Sequence, residues 1–148
     1  MKRILILILV LFAVQCSFAQ VKSEIPSVQF RLGEREPGKD LEEMTISKSG
    51  QKVYLYKKAE MSNADIKDVS VNETAISVEI EITFTDDGKE KLAKVTKENI
   101  GKILGILIDG KLIQAPIIHD AIPGGKAIIA GGFTLEEAKA LAEKMKGK

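Results

Sequence analysis

Residues capable of chemistry are sparse in this chain of 148 residues, which holds one histidine, one cysteine and no tryptophan. The histidine, His119, is followed by Asp120, which supplies two members of a nucleophilic triad. No serine stands on a strand-to-helix elbow to complete it. With no second histidine, and with the cysteine inside an N-terminal stretch that reads as a removable leader, His119 also lacks the partners for a zinc site or a thiol dyad. It reads as an ordinary strand-end histidine. Two carboxylate pairs, Asp86-Asp87 and Glu136-Glu137, are the next candidates for acid–base work. Each opens a stretch of helical periodicity, where adjacent side chains point about 100° apart and do not converge on one proton. Negative charge beside the positive end of a helix dipole accounts for both pairs.

The glycine pairs Gly124-Gly125 and Gly131-Gly132 lack the Gly-Lys-Ser/Thr or Gly-x-Gly-x-x-Gly context of a phosphate cradle, so they read as turns. Gly131-Gly132, ahead of a capped helix, is at best a weak anion site. No stretch has the alternating acidic spacing of a calcium loop. The reading is therefore of a non-enzyme with no catalytic, metal-binding or cofactor-binding residue, and the sequence leaves the substrate-binding residues unknown. The formal net charge is only +1 and no basic run is present. Nucleic-acid binding, which rests on clustered Lys and Arg facing phosphates, is thereby argued against.

An export signal is read at the N-terminus. Lys2 and Arg3 precede an apolar core from Ile4 to Val14, and Ser17-Phe18-Ala19 places small residues where a signal peptidase reads. The apolar core falls well short of the about 20 residues that a transmembrane helix needs. Cleavage after Ala19 is expected, giving an exported chain, periplasmic or extracellular, that starts at Gln20. The competing reading acylates Cys16, but Gln15 is a poor lead-in because the residue before such a cysteine should be small. Loss of the leader turns the net charge from +1 to −1 and removes the only cysteine. Stability then rests on the hydrophobic core alone, which a domain of this size can supply.

The elements that must position any site centre on Lys102 to Phe133. Ile103 to Ile108 is almost unbroken apolar, as expected of a strand covered on both faces. Asp109-Gly110 follows, the dipeptide of a two-residue type I′ hairpin. Lys111 to Ile118 runs back, and Pro116 marks it as an edge or a bulge. Upstream, residues 20–27 read as a flexible lead-in, Val28 to Leu32 as a half-buried strand, Gly33 to Lys39 as a loop and Val53 to Tyr56 as a strand. Leu41 to Ile46 is ambiguous, and Ser62 to Asp65 is read as one helical turn before Val69 and Val71. Ala75 to Thr85 alternates, placing Ile76, Val78, Ile80, Ile82 and Phe84 on one face of a long strand. Thr85 caps a helix over 86–97 with Leu92, Val95 and Thr96 inward. This strand, this helix and the strand over 103–108 are expected to form a β-α-β unit with a right-handed crossover. Ala127 to Ala130 is a further strand. Thr134 and Glu137 form a capping box for a last helix with Leu135, Ala138, Leu141, Ala142 and Met145 inward. The class is α+β: two main helices on one face of a mostly antiparallel sheet, in the order β-α-β-β-β-α.

These residues also carry a resemblance. Phe84-Thr85-Asp86-Asp87-Gly88, Ile106-Leu107-Ile108-Asp109-Gly110-Lys111, Ala115-Pro116-Ile117-Ile118, Ile122-Pro123-Gly124-Gly125 and Gly131-Gly132-Phe133-Thr134-Leu135-Glu136-Glu137-Ala138 resemble the head subdomain of the first periplasmic region of SecD. SecD is the accessory subunit of the Sec preprotein translocase. The similarity runs from about 28 to 146 and defines a domain over 28–148. It implies a ferredoxin-like α+β head that swings on its base and contacts exported polypeptide. The family also has transmembrane helices, whose charged residues couple to protons, and a base subdomain; neither is seen in this chain, which is expected not to conduct protons. No catalytic residue is carried over, because the head is not an enzyme.

Two kinds of function follow as expectations. One is an extracytoplasmic binding module for unfolded or exported polypeptide, or for a membrane protein of the cell envelope, with no small-molecule cofactor. The segment Lys111 to Ile118 would then accept an extended chain by edge pairing, unless Pro116 and flanking charge defend that edge. The alternative is a structural or sensory envelope domain unrelated to export.

Overall fold

A computed structural model describes residues 28–146. The expected leader, Cys16 and the lead-in over 20–27 lie outside the described residues. In chain order the elements are β1 (Val28–Glu34), β2 (Leu41–Thr45), β3 (Lys52–Ser62), a 3-10 turn (Asn63–Asp65), β4 (Ile66–Glu73), β5 (Val78–Phe84), α1 (Asp86–Glu98), β6 (Ile103–Ile108), β7 (Lys111–Gln114), β8 (Lys126–Ala130) and α2 (Leu135–Met145). From β5 onward this is the expected β-α-β-β-β-α order, and the class is α+β. The ambiguous stretch at Leu41 is a strand, and the turn at Ser62 forms with Ser62 as its cap.

The pairing differs from the expectation. The strands do not form one ferredoxin-like sheet with both helices on one face; they divide into two antiparallel sheets, ordered β2-β3-β1-β6-β7 and β4-β5-β8. β5 and β6 lie in different sheets, so the helix between them crosses from one sheet to the other and makes no parallel β-α-β unit. Side-chain pattern explains the division. β6 is buried at every position and is covered on both faces: Leu104, Ile106 and Ile108 enter a large core on one side, and Ile103 and Leu107 a smaller cluster on the other, while β1 and β7 flank it within the sheet. β5 alternates and needs cover on one face only. Its Ile80, Ile82 and Phe84 are buried, while Glu79, Glu81 and Thr83 are only partly covered.

One large core is shared by both sheets and both helices. It takes Phe30 and Ile106 from the five-stranded sheet, Ile80 and Ile82 from the three-stranded sheet, Leu92 from α1, and Ala138, Ala142 and Met145 from α2. The rings of Phe30 and Phe84 meet edge-on at 5.5 Å, joining β1 to β5. Burying each such side chain stabilises the fold by about 1.5–3 kcal/mol before entropy is counted. A second, smaller cluster of Val53, Leu55, Ile103, Leu107 and Leu112 uses the opposite face of β6. It is enclosed because the five-stranded sheet curls until its edges meet. The N–H and the hydroxyl of Ser47, just past β2, both donate to the Leu112 carbonyl of β7 at 2.9 Å.

The tight turn forms as read, with Asp109 at φ 49° and Gly110 at φ 75°. The strand expected over 75–85 is shorter. Glu73 to Ser77 closes the β4–β5 hairpin, with the Thr74 N–H and hydroxyl both donating to the Ser77 carbonyl. Ile76 stands 95% exposed at its tip instead of on the core face.

Candidate functional site

The residues singled out for chemistry do not converge. His119 and Asp120 are both exposed in the connection from β7 to β8, and neither side chain has a hydrogen-bond partner among the described residues. Asp86 and Asp87 sit exposed in the first turn of α1, where the Thr85 hydroxyl accepts from the Gly88 N–H at 3.0 Å. Glu136 and Glu137 open α2. Glu137 completes the capping box, accepting from the Thr134 N–H at 2.9 Å, and it also takes Lys48 Nζ on both carboxylate oxygens at 2.9 and 2.8 Å. The Lys48 ammonium and the Thr134 amide hold the Glu137 carboxyl below the usual carboxylate range. Among the described residues no cluster of three metal-ligating side chains occurs.

A recess does form, at a place that sequence spacing does not mark. β7 is an edge of one sheet and β8 an edge of the other. Between them the only side-chain bridge among the described residues is the Gln114 amide, whose Nε2 donates to the Ala130 carbonyl at 2.8 Å. The Gln114 Oε1 is buried without a hydrogen-bond partner among the described residues. Such an orphan calls for an explanation, because native proteins pair nearly all buried polar atoms. Around this bridge lies a groove of about 400 Å³, lined by Ile46, Ile113, Gln114, Pro116, Ala130 and Gly131 among others. Ile113 also lines an apolar hollow of about 300 Å³ formed with Phe133, Ala140 and Leu141. Lys48 lines both, reaching Glu137 and placing its ammonium 5.6 Å from the centre of the Phe133 ring.

The expected docking strand, β7, is largely defended. It is only four residues long, its pairing with β6 slips at Ile113, and its Leu112 carbonyl is taken by Ser47. Beyond it Pro116 lends its carbonyl to Leu104 and the chain rejoins β6 through a bridge from Ile117 to Ile103. No sequence motif marks Gln114, Lys48 or the exposed edge residue Ile128. The one available signal was a glutamine inside the apolar run from Leu112 to Ile118.

Fold and groove together define a small two-sheet head with a recess at its sheet edges and no catalytic constellation among the described residues. The chain belongs to the SecDF P1 head subdomain family, whose model matches residues 39–147. It is 45% identical over 64 residues to the protein translocase subunit SecDF of Thermus thermophilus, covering 43% of this chain and 9% of that protein. It is 36% identical over 109 residues to the protein translocase subunit SecD of Magnetococcus marinus, covering 68% of this chain and 20% of that protein. Two solved structures share the fold. A structure of SecDF, a membrane component that enhances protein export, superposes with a TM-score of 0.66 at 26% identity, covering 82% of this chain and 62% of that one. The super-membrane-facing form of SecDF gives 0.67 at 26% identity, covering 80% and 18%. The chain spans 9% and 20% of the two translocase subunits it matches in sequence. No helix among the described residues is long and apolar enough to cross a membrane.

Proposed function

We propose that this protein is a non-enzymatic, extracytoplasmic module of protein export that holds extended polypeptide in the groove between β7 and β8. The observation that carries the reading is an open groove and apolar hollow at two sheet edges, on a head of the family found in translocase subunits. A groove of this shape offers main-chain pairing for affinity and a hollow for an apolar side chain, which suits many sequences and favours none. Family membership favours this role over an envelope function unrelated to export. Export of the chain itself, with cleavage after Ala19, is part of the proposal.

The test is site-specific photocrosslinking from position 113 of the mature protein in its native cell envelope. The expected products are nascent or exported polypeptides, with Sec subunits as neighbours. Recovery of neither, with the protein correctly exported, sinks the reading.

A further inference from the structure

Among the described residues four strands end a sheet, and three of them are defended. β7 is short, bulged and partly capped, as described above. β2 carries Glu42 and Glu43 exposed. β4 packs against α2 and exposes Lys67 and Asp68. β8 is different. Lys126 is its one charged residue, and Ile128 at its centre is 55% exposed.

The backbone of β8 presents hydrogen-bonding groups along this edge. Phe84 N–H donates to the Gly125 carbonyl at 3.0 Å, so residue 125 faces β5. Antiparallel alternation then turns 127 and 129 toward β5 and leaves 126, 128 and 130 facing outward. Ala130 agrees, since its carbonyl accepts from Gln114 Nε2 and not from β5. That bond has a familiar chemistry. An amide N–H from one side meets an edge carbonyl, as the backbone amide of a neighbouring strand would, while the carbonyl of the same amide finds no donor among the described residues.

We propose that β8 accepts an extended polypeptide as an added strand, and that the Gln114 amide stands in for that strand while it is absent. The inference rests on the polypeptide-holding reading above and names where and how the segment binds. An incoming segment replaces Gln114 on the Ala130 carbonyl, pairs with Ile128, and continues past Ala130 into the groove, where the hollow beside Phe133 and Leu141 takes an apolar side chain. A second copy of β8 suits the site less well. It is five residues long and ends in the positive-φ turns at Gly125 and Gly132, so it offers no extended chain to continue into the groove.

The experiment titrates the mature chain with a short fluorescent peptide that alternates serine and valine and carries one phenylalanine. Single backbone N-methyl groups are walked along the peptide. The expected result is a period of two: methylation at alternate residues weakens binding about fivefold, the size of one net hydrogen bond, and at the intervening residues has little effect. Ile128→Pro, which removes an outward N–H and leaves the β5 ladder intact, weakens binding to a similar degree. Gln114→Ala removes the competing donor and tightens binding about threefold. A flat methylation scan with unchanged binding by Ile128→Pro overturns the added strand while leaving polypeptide binding standing. No binding by the wild-type chain overturns both. Weaker binding by Gln114→Ala overturns the stand-in role. A concentration-dependent dimer abolished by Ile128→Pro replaces the polypeptide with a second copy. Because the scan uses the unaltered protein, misfolding of a variant does not decide the outcome.

Discussion

Lys48 and Glu137 meet across 89 residues of sequence, with Nζ 2.9 Å from one carboxylate oxygen and 2.8 Å from the other. The pair ties the β2–β3 turn to the first turn of α2 and forms one wall of the apolar hollow. The ammonium and the Thr134 amide lower the Glu137 pKa, so the pair favours the fold while Glu137 is charged. That contribution is complete above the ordinary carboxylate pKa of about 4.3 and is lost as pH falls through the lower folded value. Lys48→Met is expected to flatten this acid limb. Thermal midpoints from about pH 6 to about pH 2 check it, and parallel curves for the two proteins would refute it.

Gly105 lies under Leu55. A Cβ at 105 would stand 2.5 Å from Leu55 Cδ1 and 3.3 Å from Leu112 Cδ1, inside the smaller core cluster. Gly105→Ala is therefore expected to destabilise by about 1–3 kcal/mol in urea unfolding, the cost of overpacking. Combined with Leu55→Ala, which alone leaves a cavity, the two losses should sum to more than the double variant shows. Strict additivity would mean that Leu55 is not the neighbour that matters.

Asp65 is buried where the 3-10 turn meets α1. Its carboxylate accepts from the Ser62 N–H at 2.8 Å and from Lys91 at 2.5 Å, and its carbonyl accepts from the Thr85 N–H at 2.9 Å. Asp65→Ala is expected to cost about 2 kcal/mol, because the half-buried Ser62 amide loses a charged partner. Asp65→Asn keeps an acceptor and should cost less. Equal losses would show that the ion pair, not the cap, dominates; denaturant midpoints at matched slope discriminate.

Ile76 and Ile80 share a parity in sequence but not an environment: one is 95% exposed and the other fully buried. Ile76→Ser is expected to change stability by less than about 0.5 kcal/mol, whereas Ile80→Ala should cost about 2–5 kcal/mol. A large loss from Ile76→Ser would return that residue to the core face.

Much of the fold was legible because its signals are local. An apolar run from Ile103 to Ile108 announces a strand buried on both faces, Asp109-Gly110 announces its turn, and Thr134 with Glu137 announces a helix start. Each is a property of a few neighbouring residues and survives in any tertiary setting. The reach of β5 is not legible at Ile76, because alternation alone does not tell a strand from the hairpin turn that ends it.

What sequence by itself determined is the element order, the class and the family resemblance, along with the scarcity of residues suited to catalysis. Tertiary structure decided which strands pair, and therefore everything about the site. Whether β6 took β5 or β1 as its neighbour depended on the total burial each partner offered, a sum over residues far apart in the chain. That choice leaves two sheets whose edges face each other, and it puts Gln114 opposite Ala130, 16 residues on. Neither residue carries a motif. The groove exists because two edges stop short of pairing, and strand edges are defined only once the sheets have formed.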